Sequence, residues 1–457
     1  MTKFVLSFLR ASLAASLVAS LLWGADSSLD PKPDARYKAD LLVAVAHPDD
    51  ETEIGAYLAR AIFDEKKRVA VVFGTRGNQG GNAEGQEQSA ALGLTREIEA
   101  RQALAHFDVK NVWFLNGTDT PSQEVLHSLE AWDHGDSLGR LVRLVRLTRP
   151  TVIATWLPDW AAGENHGDHQ AAGVLTTEAF DMAGDPTAFA EQIVPPRNRD
   201  DIGNFTEGLR PWQPEKLYFF SDTEHPESLN GKGPAYLSSE KSAARGVSYA
   251  RLAAEECAFH LTQGDTGQMA EAALAHNDFY YFDQPVRFIF GKSYVNSDVT
   301  ADLFAGTIPN GIAYKRPPGF VLQEPTGPRL SLGGSWNFYH CFWQAHGLEA
   351  LENLFSPEML LNYSSQVSVP ILIENPTDAT LAVTFSVALP EGWKWMRRPL
   401  PNFSVSPRDT LRLTFQAQTP EAKISGWKEI VVQAVSAQKD IGAIHIRVKL
   451  DPGAMPQ

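Results

Sequence analysis

Residues 41–51, which read LLVAVAHPDDE, decide the fold and the chemistry expected of this chain. The apolar run at residues 41–46 is long enough for a buried strand and too short for a buried helix. Pro48 cannot donate to a sheet ladder, so the strand should end there and the chain should turn. His47 and the acids at 49–51 offer the N and O donors that hard or borderline metal ions need. The alternative is an ordinary polar strand-to-helix turn.

Strand-like and helical segments alternate after this turn. The predicted strands are residues 69–74, 111–115, 151–156, 216–220 and 286–290, and the predicted helices are residues 53–67, 86–107, 124–149, 168–183 and 239–260. This order predicts an α/β, Rossmann-like and mostly parallel sheet with helices on both faces. Ligands of such sheets bind beyond the carboxyl ends of the strands, so polar residues after positions 46 and 156 should converge.

A second polar cluster, ENHGDH at residues 164–169, follows the strand at 151–156. Combined with His47 and Asp50, His169 can complete a three-ligand metal site that keeps a position open for water, which is the catalytic form of a zinc site. Zinc lowers the pKa of bound water to about 7.

Acid and base groups stand beside these ligands. Asp49 could take a proton from the attacking water, and His166, oriented by Asp168, could stay protonated and stabilise an oxyanion. The set suits hydrolysis of an amide or ester better than phosphoryl transfer, which would favour more carboxylates or a phosphate cradle. The glycines at 80–81 form no Walker pattern.

Four motifs resemble the zinc-dependent de-N-acetylases of the PIG-L/LmbE type: AHPDDE at 46–51, TRG at 75–77, REIEARQAL at 96–104 and HGDHQAAG at 166–173. The resemblance implies a Rossmann-like domain that removes an acetyl group from an N-acetylglucosamine-type sugar or glycoconjugate. It implies Zn²⁺ as the cofactor, although iron or cobalt could fill the same donors. It also implies His47, Asp50 and His169 as metal ligands, Asp49 as the general base, His166 as the electrostatic partner and Asp168 as its support.

The resemblance leaves the substrate open. Arg76 matches the arginine that contacts the sugar in relatives, and a helix-capping or surface arginine is the alternative. Trp160 could stack on a sugar face or pack in the core. Glu164 and Gly167 depart from some relatives without touching the metal set. An amidase acting on another N-acyl conjugate (lipid, thiol or peptide) and a non-catalytic glycan-binding protein therefore remain as alternative functions.

The first 25 residues are predicted to be a signal peptide, because Lys3 and Arg10 precede an apolar stretch too short to span a membrane. A secreted or periplasmic chain with no membrane span after cleavage follows, and an uncleaved anchor is the alternative. The net charge of −15 argues against a nucleic-acid partner. Cys257 and Cys341 could pair or remain free thiols. The oligomeric state is not indicated.

The remaining chain divides by pattern. We expect a linker at residues 26–38, a deacetylase domain at 39–290, a connector at 291–362 and an antiparallel β-sandwich at 363–452, where apolar residues alternate between turn signals. The sandwich resembles the immunoglobulin-like modules, of the alpha-galactosidase-associated type, that are appended to carbohydrate-active enzymes. Within the first domain, the arginines at 140, 143, 146 and 149 are expected on a solvated helix face.

Overall fold

The structure is a computed structural model that describes residues 33–159, 166–193, 208–309, 311–321, 325–352, 354–355, 357–421, 426–437 and 439–451. The predicted signal peptide at residues 1–25 and the predicted sugar-stacking residue Trp160 lie outside these ranges. None of the helices in the described ranges is both long and apolar enough to cross a membrane.

The first half of the chain contains eight strands in its described residues: β1 Leu41–Val45, β2 Val69–Phe73, β3 Asn111–Phe114, β4 Val152–Trp156, β5 Lys216–Phe220, β6 Ala235–Tyr236, β7 Val286–Arg287 and β8 Ile289–Ser293. Six of them form a central sheet in the order β3-β2-β1-β4-β5-β8. The first five strands of this order are mutually parallel, and β8 pairs with β5 in the antiparallel sense. The predicted α/β domain with a mostly parallel sheet is confirmed.

The α-helices of this half are α1 Gly55–Ala59, α2 Ser89–His106, α3 Val125–Ala131, α4 His134–Thr148, α5 Gly167–Met182, α6 Tyr249–Cys257 and α7 Asp265–His276. They form two groups: α3, α4 and α5 pack together, and so do α1, α2, α6 and α7. Strands β1, β2, β4 and β5 are buried along their whole length, which requires cover on both faces of the sheet.

The predicted helix over residues 124–149 is two helices, α3 and α4. The chain breaks at Asp133, whose φ of 49° is left-handed and cannot continue a right-handed helix. The segment predicted as a helix over residues 53–67 is also divided: a 3-10 helix at Asp50–Ile54 precedes α1, and a π-helical turn at Arg60–Asp64 follows it.

The second half is rich in β-strands. A five-stranded sheet, β10-β17-β16-β12-β14, and a four-stranded sheet, β13-β15-β11-β9, enclose one shared apolar core. In β11 every second residue is buried, as the alternating pattern predicted. The strands are β9 Arg329–Leu332, β10 Glu358–Leu361, β11 Gln366–Asn375, β12 Leu381–Ala388, β13 Lys394–Arg397, β14 Asn402–Val405, β15 Asp409–Gln418, β16 Lys428–Ser436 and β17 Lys439–Leu450.

The β-rich region begins before the predicted boundary at residue 363. Strand β9 pairs with β11, and β10 pairs with β17, so the segment expected to be a connector supplies two strands of these sheets. Both strands are only four residues long, too short for a period-two pattern to stand out in the sequence.

Helix α8, Ser335–His346, joins the two halves. Phe342 and Trp343 belong to the core of the α/β domain, and Trp336 packs against both cores. Hydrogen bonds cross the same boundary, among them one from Gln123 Nε2 to the carbonyl of Leu360 at 2.9 Å. The cysteines predicted either to pair or to stay free are both free thiols.

Candidate active site

Strands β1 and β4 are neighbours at the centre of the sheet, and the strand order reverses between them. In open α/β sheets this reversal creates a crevice at the carboxyl ends of the two strands, where ligands bind. The first polar cluster follows β1, and the second precedes and enters α5 after β4. The fold therefore brings the two clusters to one place, as their order in the chain predicted.

The turn after β1 is fixed by Asp50. Its Oδ2 accepts hydrogen bonds from the backbone N–H groups of Ala46 and His47, at 2.9 and 3.0 Å, and from Trp156 Nε1 at 2.7 Å. The other oxygen, Oδ1, is directed to two imidazoles: it lies 3.6 Å from His47 Nδ1 and 3.3 Å from His169 Nε2. One carboxylate thus shapes the turn and presents a ligand atom.

The donor atoms of His47, Asp50 and His169 all lie within 4.8 Å of one another. Ligands bound to a tetrahedral zinc at 2.0–2.2 Å are separated by about 3.3–3.6 Å, which matches the two distances to Asp50. The ring of His169 is stacked on Trp156 with centroids 4.4 Å apart and an interplanar angle of 12°, so its direction is fixed by packing. These residues fit a single divalent metal ion.

Asp119 supports this set, and sequence reasoning missed it. His47 Nε2 donates to Asp119 Oδ1 at 3.0 Å, while Asp119 Oδ2 accepts from the backbone N–H of Gln79 at 2.8 Å. Burial raises the pKa of Asp119, but the charge and hydrogen bond of His47 outweigh it and lower that pKa overall. A carboxylate on the far nitrogen of a ligating histidine fixes the tautomer and the ring orientation. The sequence offered one indication of this role: Asp119 follows β3, so it lies at the same edge of the sheet as the two polar clusters.

His166 lies in the same site, and Asp168 contacts it through the main chain. The backbone N–H of Asp168 donates to His166 Nδ1 at 3.2 Å, whereas the Asp168 carboxylate accepts from the backbone N–H and the hydroxyl of Thr120 at 2.8 and 2.7 Å. Asp168 therefore orients His166 through its main chain, and its fully buried side chain anchors Thr120.

The surroundings of His166 favour its neutral form. Burial and the charges of His47 and His169 lower the pKa of His166 well below its usual range, so a neutral ring is favoured over the predicted imidazolium. Because Nδ1 accepts a hydrogen bond, the proton of a neutral ring is on Nε2. His166 can still offer one N–H donor.

Asp49, the predicted general base, is held in a left-handed backbone conformation with φ 107°. Glu51 Oε2 accepts the Asp49 backbone N–H at 3.0 Å, and Glu51 Oε1 accepts from His260 Nε2 at 3.1 Å. Burial and the charge of Asp50 raise the pKa of Asp49 to about 7. A residue in this region of backbone space costs about 1–3 kcal/mol and is maintained by its surroundings, here by a buried Glu51–His260 pair that the sequence did not reveal.

A cavity of about 510 Å³ opens over these residues and is lined by His47, Asp49, His166 and Arg96 among others. The predicted sugar contact, Arg76, does not line it. Its Nε is paired with Glu97 at 2.6 Å, and its Nη1 donates to Asn116. These partners on α2 and beyond β3 hold the guanidinium away from this cavity, and the sugar contact of Arg76 stays a prediction.

Arg96 is the guanidinium at the cavity. It donates to the backbone carbonyl of Gly81 at 2.7 Å, to that of Thr262 at 3.1 Å and to that of Gly77. These three bonds tie the loop after β2 to the segment after α6, so Arg96 supports the cavity wall.

Comparison with known protein families finds a match within the first domain. Residues 42–180 match the family model described as PIG-L: GlcNAc-PI de-N-acetylase. The chain therefore carries a PIG-L family domain over these residues, and both metal-ligand clusters lie inside it.

Two curated relatives are similar to part of the chain. A 1D-myo-inositol 2-acetamido-2-deoxy-alpha-D-glucopyranoside deacetylase 1 of Frankia alni is 32% identical over 192 residues, which cover 38% of this chain and 59% of that protein. A deacetylase with the same substrate in its name, from Streptomyces scabiei, is 30% identical over 204 residues, which cover 41% of this chain and 57% of that protein. The chain thus spans less than two thirds of the length of these relatives.

Among solved structures, an N,N'-diacetylchitobiose deacetylase from Pyrococcus horikoshii, complexed with its inhibitor MPG, is similar at 17% identity and a TM-score of 0.38. The similarity covers 55% of this chain and 83% of that chain. A likeness at this score carries no functional inference.

Proposed function

We propose that this chain is a metal-dependent hydrolase that removes an N-acetyl group from an N-acetylglucosamine-type sugar or glycoconjugate. The observation that carries the proposal is the convergence of His47, Asp50 and His169 within 4.8 Å at the carboxyl ends of β1 and β4. The PIG-L family domain and the deacetylase names of the relatives support the same reaction and the sugar class.

Zinc, or another divalent transition metal, would be held by these three side chains. When bound, it supplies a Lewis acid for the amide carbonyl and lowers the pKa of a neighbouring water to about 7. The protein fixes the donors in advance: Asp119 orients His47, Trp156 orients His169, and backbone N–H groups orient Asp50.

Asp49 acts as the general base. It accepts a proton from the water that attacks the acetyl carbon, and it returns this proton to the nitrogen as the C–N bond breaks, so that acetate and a free amine leave. A bound cation beside Asp49 favours the carboxylate form that accepts the proton. His166 Nε2–H donates a hydrogen bond to the oxygen that gains charge during the attack.

We propose further that the chain is secreted or periplasmic, on the strength of the signal-like segment at residues 1–25. Mass analysis of the mature N-terminus, after expression with the full leader, tests this. A start near residue 26 supports export with cleavage, and an intact Met1 contradicts it.

We also propose that the two-sheet C-terminal region is an immunoglobulin-like module. Two sheets around one core and the long antiparallel pairs β11–β15 and β16–β17 support this assignment. Because α8 packs into the core of the α/β domain, we propose that this module stabilises that domain and also separates it from other structures.

Acetate release from N-acetylglucosamine and its oligomers, with and without a chelator, tests the enzyme proposal. We expect release that a chelator abolishes and added zinc restores. Asp49→Asn should keep its metal and lose at least about 99% of turnover, because it removes a base and no ligand. Asp136→Asn, an exposed position on α4, is the matched control. Unchanged turnover in Asp49→Asn refutes the base assignment, and no release from any N-acetylated sugar refutes the function.

A further inference from the structure

A second cavity shares the catalytic residues with the first. It has a volume of about 530 Å³, and Asp49, Asp50 and His169 line both cavities. Small-molecule sites occupy about 300–1,000 Å³, so each cavity alone is large enough for a ligand of that kind. The reacting centre therefore lies between two recesses rather than at the end of one.

The wall of this second cavity is rich in aromatic side chains. Trp156 and Phe220 contribute at the inner end, with ring centroids 4.7 Å apart, and Tyr280 and Tyr281 contribute at the outer rim. We call it the aromatic cavity. Because Trp156 is also stacked on the metal-ligand candidate His169, the aromatic cavity starts at the catalytic groups and extends outward from them.

Tyr280 and Tyr281 are unusually exposed for two adjacent aromatic residues, at 80% and 63%. They belong to a short 3-10 helix, Tyr280–Phe282, whose first N–H donates to Asp278 Oδ1 at 3.2 Å. Tyr281 also meets Phe282 edge to face at 5.5 Å, which restrains its ring. A restrained tyrosine offers an apolar face and a polar hydroxyl at a low cost in conformational entropy.

Polar groups accompany these rings. Arg287, Gln284 and Glu53 line the same aromatic cavity, so guanidinium, amide and carboxylate groups stand beside apolar faces. A pyranose ring is complementary to this wall, because the C–H groups on its faces can pack on aromatic rings and the hydroxyls at its edge can hydrogen-bond to the polar groups. Arg287 already donates to Asn230 Oδ1 at 3.3 Å and to the carbonyl of Pro285 at 3.4 Å. A purely apolar ligand would cover the Gln284 amide and the Glu53 carboxyl group without offering them a hydrogen bond, which is costly.

The C-terminal region braces one side of the aromatic cavity. Thr223 and Pro226 line it, and the two residues between them contact the β-sandwich. Lys449 Nζ donates to Glu224 Oε1 at 2.6 Å, and His225 Nε2 lies 3.6 Å from Glu358 Oε1. The β-rich half of the chain thus holds a loop at the edge of the site.

We infer that the aromatic cavity is a subsite for a hexose unit linked to the N-acetylated sugar, so that the preferred substrate is an oligosaccharide or glycan chain rather than a monosaccharide. The inference rests on the proposed deacetylase function, since the reacting sugar is placed at the shared catalytic residues.

Kinetics on substrates of different length test the subsite. The double variant Tyr280→Ala/Tyr281→Ala should lower kcat/KM for N-acetylchitotetraose on the order of tenfold, equivalent to about 1.4 kcal/mol, mainly through KM. It should leave kcat/KM for the monosaccharide unchanged. Tyr280→Phe/Tyr281→Phe keeps the stacking faces and should retain most of the activity on the tetrasaccharide.

Binding separates this inference from the proposed function. Calorimetry of N-acetylchitotetraose with Asp49→Asn should show binding that the two alanines weaken, and that result supports the subsite even if no acetate is released. Equal losses on monosaccharide and tetrasaccharide, no loss on either, or no binding of the tetrasaccharide overturns the subsite. If acetate release persists in those cases, the deacetylase proposal stands without it.

Discussion

At the scale of single residues, the metal-site candidate depends on groups that do not touch the metal position. Asp119 accepts a hydrogen bond from His47 Nε2 through one carboxylate oxygen, and its other oxygen accepts one from the backbone N–H of Gln79. No motif marks Asp119, because its role depends on a strand order that places the loop after β3 near the end of β1.

Asp119→Asn is expected to weaken metal binding about 10- to 100-fold, since it removes the charge that fixes the donor orientation of His47. Competition with a chromogenic chelator measures the affinity, and the exposed substitution Asp136→Asn should leave it unchanged. An affinity equal to that of the parent would show that His47 does not need this partner.

His260 makes folding stability depend on pH. Burial lowers its pKa, but Glu51, Glu256 and Asp49 outweigh burial and raise it to about 9. A histidine with a raised folded pKa adds stability that is complete below about pH 6.5 and is lost as pH rises through about 9. Glu256 acts in the same direction, since burial raises its pKa and it releases its proton as pH rises.

We therefore expect the melting temperature to fall by several degrees between about pH 6.5 and about pH 9, and His260→Gln to flatten that fall. Calorimetry at constant metal concentration measures it. His127→Gln, an exposed position on α3, is the control and should keep the parental slope. Parallel curves for His260→Gln and the parent would argue against a charged His260 in the folded state.

Arg146 shows what a sequence pattern cannot specify at this scale. The arginine row on α4 was expected to face solvent, yet the Arg146 side chain is fully buried. It donates to the carbonyls of Ala183, Asp185 and Ala188 at 3.1, 2.9 and 2.7 Å. The expectation was wrong for this residue because its partners lie beyond the end of α5, about forty residues away, and only the tertiary fold brings them within reach.

At the scale of elements, the position of α5 against β4 sets the place of His169. Gly173 allows the close approach: a Cβ there would lie 2.4 Å from the carbonyl oxygen of Trp156 and 2.9 Å from the Pro158 side chain. The helix can therefore lie directly on the end of the strand only with glycine at this position.

Gly173→Ala should destabilise the protein by about 1–3 kcal/mol, because the added methyl group forces α5 away from β4. Gly135→Ala on α4, where a Cβ would meet nothing within 4 Å, is the matched control and should be neutral or stabilising by up to about 1 kcal/mol. Urea unfolding compares them. A Gly173→Ala protein as stable as the control would mean that α5 and β4 are not in close contact.

At the scale of the whole molecule, the sheet and the convergence of its loops could be predicted, because buried parallel strands leave continuous apolar runs such as residues 41–45 and 152–156. The packing of the two halves against each other could not be predicted from the sequence. Trp343 of α8 is 1% exposed within the α/β core, although it follows that domain by more than forty residues. The sequence of an aromatic-rich helix does not indicate which of the two apolar cores the helix packs into.

The proposed activity depends on one cation held by two loops from distant parts of the chain. Anomalous diffraction at the absorption edge of the metal found in the purified protein tests this most directly. We predict one peak about 2.0–2.2 Å from His47 Nδ1, Asp50 Oδ1 and His169 Nε2. No peak there, or a peak bound by other side chains, would contradict the proposed metal site.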